Sequence, residues 1–273
     1  MILINGEPDN RINVQDRGVQ YGDGVFETIA FRNGTAEFLQ AHLQRLMLGC
    51  ERLKIQLDLP TLQRELDNLL AELQADQVIK IIITRGEGGR GYRFAPEMHA
   101  TRILSTHPMP VYPESYDQHG IELFVCSYRL SINPALAGIK HLNRLEQVLA
   151  RSEWQDEQFA EGLMFDTQGR LIEGTMSNVF IVNNGALKTP KLDNAGICGI
   201  MREKIINLAG DLGIRCDIVE ISQNDLLNAD EMFVCNSLIG IWPVRAIPAL
   251  QKTFSRRQLS DALLLAQKNM NRI

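Results

Sequence analysis

Disulfide spacing, long apolar runs and an excess of positive charge are all missing from this 273-residue sequence. Its five cysteines, Cys50, Cys126, Cys198, Cys216 and Cys235, are odd in number and form no C-x-x-C pair. That argues against a disulfide framework or a zinc ribbon and leads us to expect a reduced, cytoplasmic protein. The five histidines, His42, His99, His107, His119 and His141, show no metal-ligand spacing, so no metal is expected. The apolar start at 1–4 gives way at once to Asn5-Gly6 and has no basic lead, unlike a signal peptide. The apolar run at 78–83 is broken by Lys80 and falls far short of the roughly 20 residues of a membrane helix. Neither export nor a membrane is expected. Lys+Arg 28 against Asp+Glu 33 leaves a net charge of -5, without the basic excess that binding a phosphate backbone requires, so nucleic acid is not an expected partner. Lysine itself is scarce, 8 against 20 arginines, which keeps the list of possible amine nucleophiles short.

What remains is an ordinary globular composition, 45% hydrophobic and 22% charged, with enough chain for one large domain or two of about 100–150 residues. The spacing predicts a strand at 2–4, a second at 25–31 and a hairpin turn at Asn33-Gly34. Leu39, Leu43, Leu46, Met47, Cys50 and Leu53 recur at threes and fours and predict an amphipathic helix over 39–53. A helix from Pro60 to Leu73, a buried strand at 78–84, a glycine-rich loop at 85–92 and a strand at 102–107 follow. Pro108, Pro110 and Pro113 mark a linker at 108–118 between a domain at 1–107 and another at 119–273. In the second, the pattern predicts a strand at 121–127, helix 142–155, a strand-rich block at 162–189, helix 199–213, strands at 216–221, 232–235 and 241–247, and a serine-capped helix at 255–268. The expected class is α+β in two domains.

Several residues stand where chemistry is possible. Lys140 ends the run Ala135-Leu136-Ala137-Gly138-Ile139, where desolvation favours the neutral amine that Schiff-base formation needs, although a lysine snorkelling from a core edge reads the same way. Lys80 lies in a more apolar run, but strand alternation can turn it to solvent. Glu173, opening Gly174-Thr175-Met176-Ser177-Asn178, would need a cationic partner if buried, such as a pyridinium nitrogen, and is a plain hairpin-flank acid if not. Ile197-Cys198-Gly199-Ile200-Met201-Arg202 leads into a helix whose first amides are able to hold a phosphate. Arg45 on the 39–53 helix could grip the same anion, and Cys235-Asn236-Ser237 could complete the cradle; each is equally ordinary helix or turn chemistry.

The spaced pattern Glu173, Asn178, Val179, Phe180, Leu187, Thr189, Ile197, Gly199, Ile200, Arg202 resembles the signature of the class IV aminotransferase-like family. Residues 16–28, Asp16-Arg17-Gly18-Val19-Gln20-Tyr21-Gly22-Asp23-Gly24-Val25-Phe26-Glu27-Thr28, are similar to that family's opening motif. The runs at 133–147 and 85–92 look like the family's lyase branch. The resemblance covers essentially the whole chain. It implies a two-domain fold-type IV enzyme of the D-amino-acid-aminotransferase-like kind, with pyridoxal 5'-phosphate as cofactor and a homodimer as the assembly. It further implies that Lys140 bonds the cofactor and Glu173 meets its ring nitrogen. Arg45, the amides of Ile200 and Met201 and the Ser237 hydroxyl would hold the phosphate, with Ile197 on the ring face. The tyrosine that branched-chain transaminases carry after the lysine has no counterpart, which leaves Asn143 for the ring oxygen. Thr28 stands where those transaminases have glycine and is associated in the lyase branch with catalysis.

The implied reaction converts 4-amino-4-deoxychorismate to 4-aminobenzoate and pyruvate in folate biosynthesis. Arg90 and Tyr92, in a loop expected to be mobile, would receive a substrate carboxylate, with Arg93 and Arg144 as weaker candidates. The alternative is a transaminase of D-amino acids or branched-chain amino acids using the same Lys140 and Glu173.

Overall fold

The computed structural model describes residues 1–268, and the chain divides into two compact units. Among the described residues, the first comprises Met1–Pro110 and Ile139–Asn143, and the second comprises Val111–Gly138 and residues 144–268.

In the first unit, strands β1 (Ile2–Ile4), β2 (Glu7–Pro8), β3 (Gly24–Arg32), β4 (Thr35–Ala36), β5 (Gln77–Thr84) and β6 (Thr101–Pro108) form one antiparallel sheet in the order β2-β1-β6-β5-β3-β4. Helices α2 (Leu39–Leu53) and α3 (Leu59–Glu72) cover one face, and a five-residue helix α1 (Arg17–Tyr21) precedes β3. Alternation decides which side chains go where. Val25, Ile29, Ile79, Ile81 and Ile83 pack with Leu43, Leu46, Leu62, Leu66 and Leu69, each burial contributing about 1.5–3 kcal/mol. Phe26, Thr28, Lys80 and Ile82 therefore look out from the other face. The hairpin between β3 and β4 turns on Asn33 and Gly34, both at positive φ, as the sequence predicts. The second helix starts one residue before Pro60, where Asp58 accepts the Thr61 amide and caps it.

The second unit is built on a sheet that follows the order β12-β11-β10-β14-β15-β7-β8-β9-β13. Its strands are β7 (Ile121–Leu130), β8 (Phe159–Asp166), β9 (Arg170–Gly174), β10 (Asn178–Asn183), β11 (Ala186–Pro190), β12 (Cys216–Val219), β13 (Ile221–Ser222), β14 (Glu231–Asn236) and β15 (Gly240–Ile247), with β16 (Lys252–Thr253) paired to β15. Its helices are α4 (Ser115–His119), α5 (Leu145–Arg151), α6 (Ile200–Asp211), α7 (Gln223–Leu227) and α8 (Gln258–Lys268). No helix among the described residues is long and apolar enough to cross a membrane.

Four differences from the sequence reading have physical causes. The helix expected at 142–155 shrinks to α5 because residues 139–142 are extended along the open edge of β3. There Phe26 N–H donates to the Lys140 carbonyl and Leu142 N–H to the Gly24 carbonyl. The strand expected at 216–221 splits, since Cys216–Val219 pairs parallel to β11 and Ile221–Ser222 pairs with β9. The terminal helix starts at Gln258 rather than 255, where the buried Glu231 carboxylate, not a serine cap, accepts the Leu259 and Ser260 amides. Residues 108–118, expected as a linker, include most of α4 and two tyrosines, Tyr112 and Tyr116, whose rings meet Trp242 edge-on.

Candidate active site

Lys140 belongs to the first unit, and its place follows from the edge pairing just described. Val25 and His141 form an antiparallel bridge, so Lys140 stands opposite Phe26 and shares its face of the sheet. Its Nζ lies 4.4 Å from the centroid of the Phe26 ring. Thr28 projects from the same face two residues on and is directly opposite Lys80 of β5. The structure thus brings together Lys140 and Thr28, and adds Phe26 and Lys80. Lys80 is half-buried and its Nζ is 5.7 Å from the same ring.

Arg45 stands on the other side of β3. Its Nε donates to Glu27 Oε1 at 2.8 Å and its Nη2 to Oε2 at 2.5 Å, a two-pronged grip on a fully buried carboxylate. His42, one turn earlier on α2 and equally buried, places Nδ1 2.7 Å from Glu27 Oε2. Burial by itself would raise the pKa of Glu27, but the Arg45 charge and the hydrogen bonds from Arg45 and His42 outweigh it and bring it from 4.5 to about 2. Burial is also the largest influence on His42, and it lowers the imidazole from its usual 6.5 despite Glu27. A neutral imidazole must donate from Nδ1 to this carboxylate, which leaves Nε2 an acceptor; it is buried with no hydrogen-bond partner among the described residues. The sequence reading missed Glu27 and His42. The available signal was alternation, which puts Glu27 on the core face between Val25 and Ile29, where a carboxylate requires partners.

The glycine-rich loop carries Arg90 and the 87% exposed Tyr92. It is tethered through its backbone. Arg17, buried in α1, donates from Nη1 to the Gly91 carbonyl at 2.9 Å and from Nη2 to the Tyr92 carbonyl at 3.2 Å, while its Nε holds Asp23. The Gly91 amide donates to the Tyr21 hydroxyl, and the Tyr21 and Tyr92 rings meet edge-on. Asp23 also receives two bonds from Arg85, whose remaining N–H groups reach the Leu53 and Lys54 carbonyls at the end of α2. Burial would raise the pKa of Asp23, but Arg85 and then Arg17 hold it below the usual value. Arg93 is exposed in the same loop. Asn143 directs its side-chain N–H to the carbonyl of Gly22, a residue at φ 64° that ends α1. A cavity of about 550 Å³ beside the loop, lined by Arg17, Gly88, Phe94, His99 and Arg102, contains none of the residues expected to meet the cofactor or the substrate.

In the second unit Glu173 ends β9, buried to 4%. Its Oε2 accepts the Ile197 amide at 2.8 Å and its Oε1 accepts a Gln147 N–H at 3.2 Å. Ile197 is pinned twice more, by the Asn178 side-chain N–H on its carbonyl and by a bridge to Gly138. Residues 197–199 turn into α6, whose Gly199 N-cap supplies no side-chain hydrogen bond. A Cβ on Gly199 would sit 2.0 Å from Asn178 Oδ1, so only glycine lets Asn178 and the helix start come this close. Ile200 and Met201 bury their side chains and begin a 12-residue helix with its first turn uncapped by any side chain, an arrangement suited to an anion. Burial draws the pKa of Arg144 below its usual value, against Glu173 and Glu146.

Ser237 occupies a turn braced by Asn236, whose Oδ1 accepts the Leu238 and Ile239 amides and whose N–H reaches the Met176 carbonyl. The turn at 174–177 is in turn fixed by buried Glu161, which accepts the amides of Gly162, Thr175 and Met176 and the hydroxyls of Thr175 and Ser177. Sequence reasoning missed Glu161 because nothing local distinguishes it. No group of three or more potential metal ligands occurs among the described residues.

The family model for amino-transferase class IV matches residues 24–247, a span that contains Thr28, Arg45, Lys140, Glu173, Ile197 and Ser237. The chain belongs to the class IV amino-transferase family. Within that family it is 38% identical over 251 residues to an aminodeoxychorismate lyase of Vibrio harveyi, covering 91% of this chain and 92% of the relative. A solved 4-amino-4-deoxychorismate lyase from Pseudomonas aeruginosa superposes with a TM-score of 0.96 at 45% identity, covering 100% of both chains. The branched-chain amino acid aminotransferase of Escherichia coli, at 24% identity and TM-score 0.86 over 98% of this chain and 93% of its own, shares the fold. The family match confirms the expected α+β, fold-type IV architecture.

Proposed function

We propose that this chain is a pyridoxal 5'-phosphate-dependent carbon–oxygen lyase that converts 4-amino-4-deoxychorismate to 4-aminobenzoate and pyruvate, a step in folate biosynthesis. The likeness to the Pseudomonas lyase over the full length of both chains carries this reading. The donor set fits the cofactor: a buried carboxylate at Glu173 for a ring nitrogen, an uncapped helix start at α6 for a phosphate, and an amine at Lys140. When bound, the cofactor supplies an aldehyde that an amine bonds and an electron sink for charge developing at the neighbouring carbon.

The protein's part is to bind, orient and move protons. Glu173, whose carboxylate oxygens accept the Ile197 amide and a Gln147 N–H, would pair with the ring nitrogen and favour its protonated form. The Ile200 and Met201 amides, the Ser237 hydroxyl and Arg45 would hold the phosphate, and Ile197 would pack on the ring. Asn143 offers its amide to the ring oxygen. Lys140 would serve as the base that accepts the proton from the substrate ring carbon bearing nitrogen. Thr28, on the Lys140 face of the sheet, would relay to the departing enolpyruvyl oxygen the proton that Lys140 has accepted, its own hydroxyl being restored in the exchange. Arg90 pairs with a substrate carboxylate beside Tyr92, from a loop that Arg17 holds in place. We further propose a cytoplasmic homodimer that engages neither nucleic acid nor membrane.

The test is 4-aminobenzoate release by the wild type and Lys140→Ala, run beside a D-alanine plus 2-oxoglutarate assay. Wild-type release abolished in Lys140→Ala is the expected result. Robust transamination without 4-aminobenzoate overturns the lyase assignment in favour of a transaminase.

A further inference from the structure

The loop that carries Arg90 and Tyr92 joins β5 to β6, and its stem is closed by Asp16. This fully buried carboxylate accepts the hydroxyls of Thr84 and Thr101 on Oδ2, each at 2.8 Å, and the two threonines pair across β5 and β6. Beyond the stem, two buried arginines hold the loop at separate places. Arg17 donates to the Gly91 and Tyr92 carbonyls, and the Arg85 guanidinium carbon lies 3.8 Å from the centroid of the Phe94 ring. Arg90 therefore stands next to the first anchor, and Arg93 between the two. One carboxylate aims both arginines. Asp23 Oδ2 accepts Arg17 Nε at 3.0 Å and Arg85 Nε at 2.7 Å, while its Oδ1 accepts Arg85 Nη2 at 2.8 Å. Among the described residues Asp23 is the only carboxylate paired with either guanidinium.

We propose that Asp23 is a positioning residue for the substrate carboxylate: by fixing Arg17 and Arg85 it holds the loop at Gly91, Tyr92 and Phe94, and so presents Arg90 already ordered to the incoming anion. The inference rests on the reading of Arg90 as the carboxylate receptor. A loop without these anchors has to be ordered at the moment of binding, and each backbone residue so fixed costs a factor of about 5–30 in affinity. That loss falls equally on bound substrate and transition state, so it raises KM and leaves kcat in place. Three features confine the effect to the loop. Asp16 closes the stem without help from Asp23. Arg85 keeps its two bonds to the Leu53 and Lys54 carbonyls. The pairing with the Lys140 segment runs through the backbone of Gly24 and Phe26 and makes no use of the Asp23 side chain.

The experiment uses the full-length holoenzyme and follows 4-aminobenzoate release by the wild type, Asp23→Asn, Asp23→Glu, Arg90→Met and the Asp23→Asn, Arg90→Met double variant. Tryptic cleavage after Arg90 or Arg93, read by mass spectrometry, reports the state of the loop in the same proteins. Asp23→Asn is expected to raise KM at least about tenfold with kcat within about twofold, and to be cut about tenfold faster. Asp23→Glu, which keeps the charge, should recover most of both. In the Arg90→Met background the asparagine change should add less than about threefold to KM, because a cation that is absent needs no placing. If Asp23→Asn fails to fold, Phe94→Leu carries the test: it removes one anchor at an exposed ring, leaves both ion pairs whole, and should move KM and cleavage in the same sense. A fall in kcat with KM unmoved, an unchanged cleavage rate, or full additivity in the double variant overturns the proposal. Failure of the underlying reading looks different: Arg90→Met alone then leaves KM at the wild-type value, and the proposal falls with it even where Asp23→Asn loosens the loop.

Discussion

Replacing Glu27 by glutamine removes the one anion that Arg45 and His42 share. Its carboxyl is held at about 2 against an ordinary 4.5, and at about 1.4 kcal/mol per unit this linkage amounts to about 3 kcal/mol at neutral pH. The same size follows from the other direction, since stripping one partner from a buried ion pair costs about 3–5 kcal/mol. Glu27→Gln should therefore be less stable than wild type by about 3 kcal/mol at pH 7 in urea unfolding.

The pH dependence supplies the sharper test. Glu27 has a depressed folded-state pKa, so its contribution is complete above 4.5 and disappears as pH falls from there towards 2. By pH 3 about 2 kcal/mol of the difference between the two proteins should be gone. His42 acts earlier. Its folded-state pKa lies below 6.5, so acid below that pH favours the unfolded chain, and more so in Glu27→Gln, where no carboxylate supports the imidazolium. The stability gap should widen between pH 6.5 and 4.5 and then close. His42→Asn in both backgrounds should remove the widening and leave the closure. A gap under about 1 kcal/mol at pH 7, or one that persists unchanged to pH 3, would refute the electrostatic account of this cluster.

Three further outcomes follow from single contacts. Gly199→Ala places a Cβ 2.0 Å from Asn178 Oδ1, and the displaced helix start should weaken pyridoxal 5'-phosphate binding at least about tenfold in an absorbance titration; undiminished affinity would show that α6 does not hold the phosphate. Arg17→Met frees the Gly91 and Tyr92 carbonyls, and trypsin should then cut after Arg90 or Arg93 about tenfold faster; an unchanged rate would mean the loop is held by something else. Glu161→Gln turns an amide N–H group towards the two or three donors of whichever oxygen it replaces and should cost about 2–4 kcal/mol in urea unfolding, whereas a loss under 1 kcal/mol would show that the 174–177 turn holds itself.

The contrast between α2 and the segment around Lys140 shows how far a sequence can be read. The helix over Leu39–Leu53 falls where its apolar period places it, because one face must be covered and the spacing of Leu43, Leu46 and Cys50 states which. Residues 139–142 carry the same kind of apolar pattern and were read as a loop running into a helix, yet they are extended. Their conformation is decided by the unpaired amide of Phe26 and carbonyl of Gly24 on the edge of β3, more than 110 residues earlier in the chain. No local window contains both partners. Thr28, Arg45 and Lys140 could be picked out as residues, but the partition of the first two to opposite faces of β3 could not be read without the register of that edge.

That partition changes what each residue can do. On one face, the strand presents Phe26 and Thr28 alongside Lys140 and Lys80, whose Nζ atoms lie 4.4 and 5.7 Å from the Phe26 ring centroid. On the other, Glu27 locks Arg45 and His42 into a buried cluster whose Arg45–Glu27 charges cancel and whose geometry cannot drift without breaking a two-pronged ion pair. A single nine-residue strand thus keeps the ion-paired Arg45 apart from Lys140 by the alternation of its side chains. If Arg45 holds the phosphate, Glu27→Gln should raise the cofactor's dissociation rate, and an unchanged rate would mean that Arg45 keeps its place without the carboxylate or does not hold the phosphate.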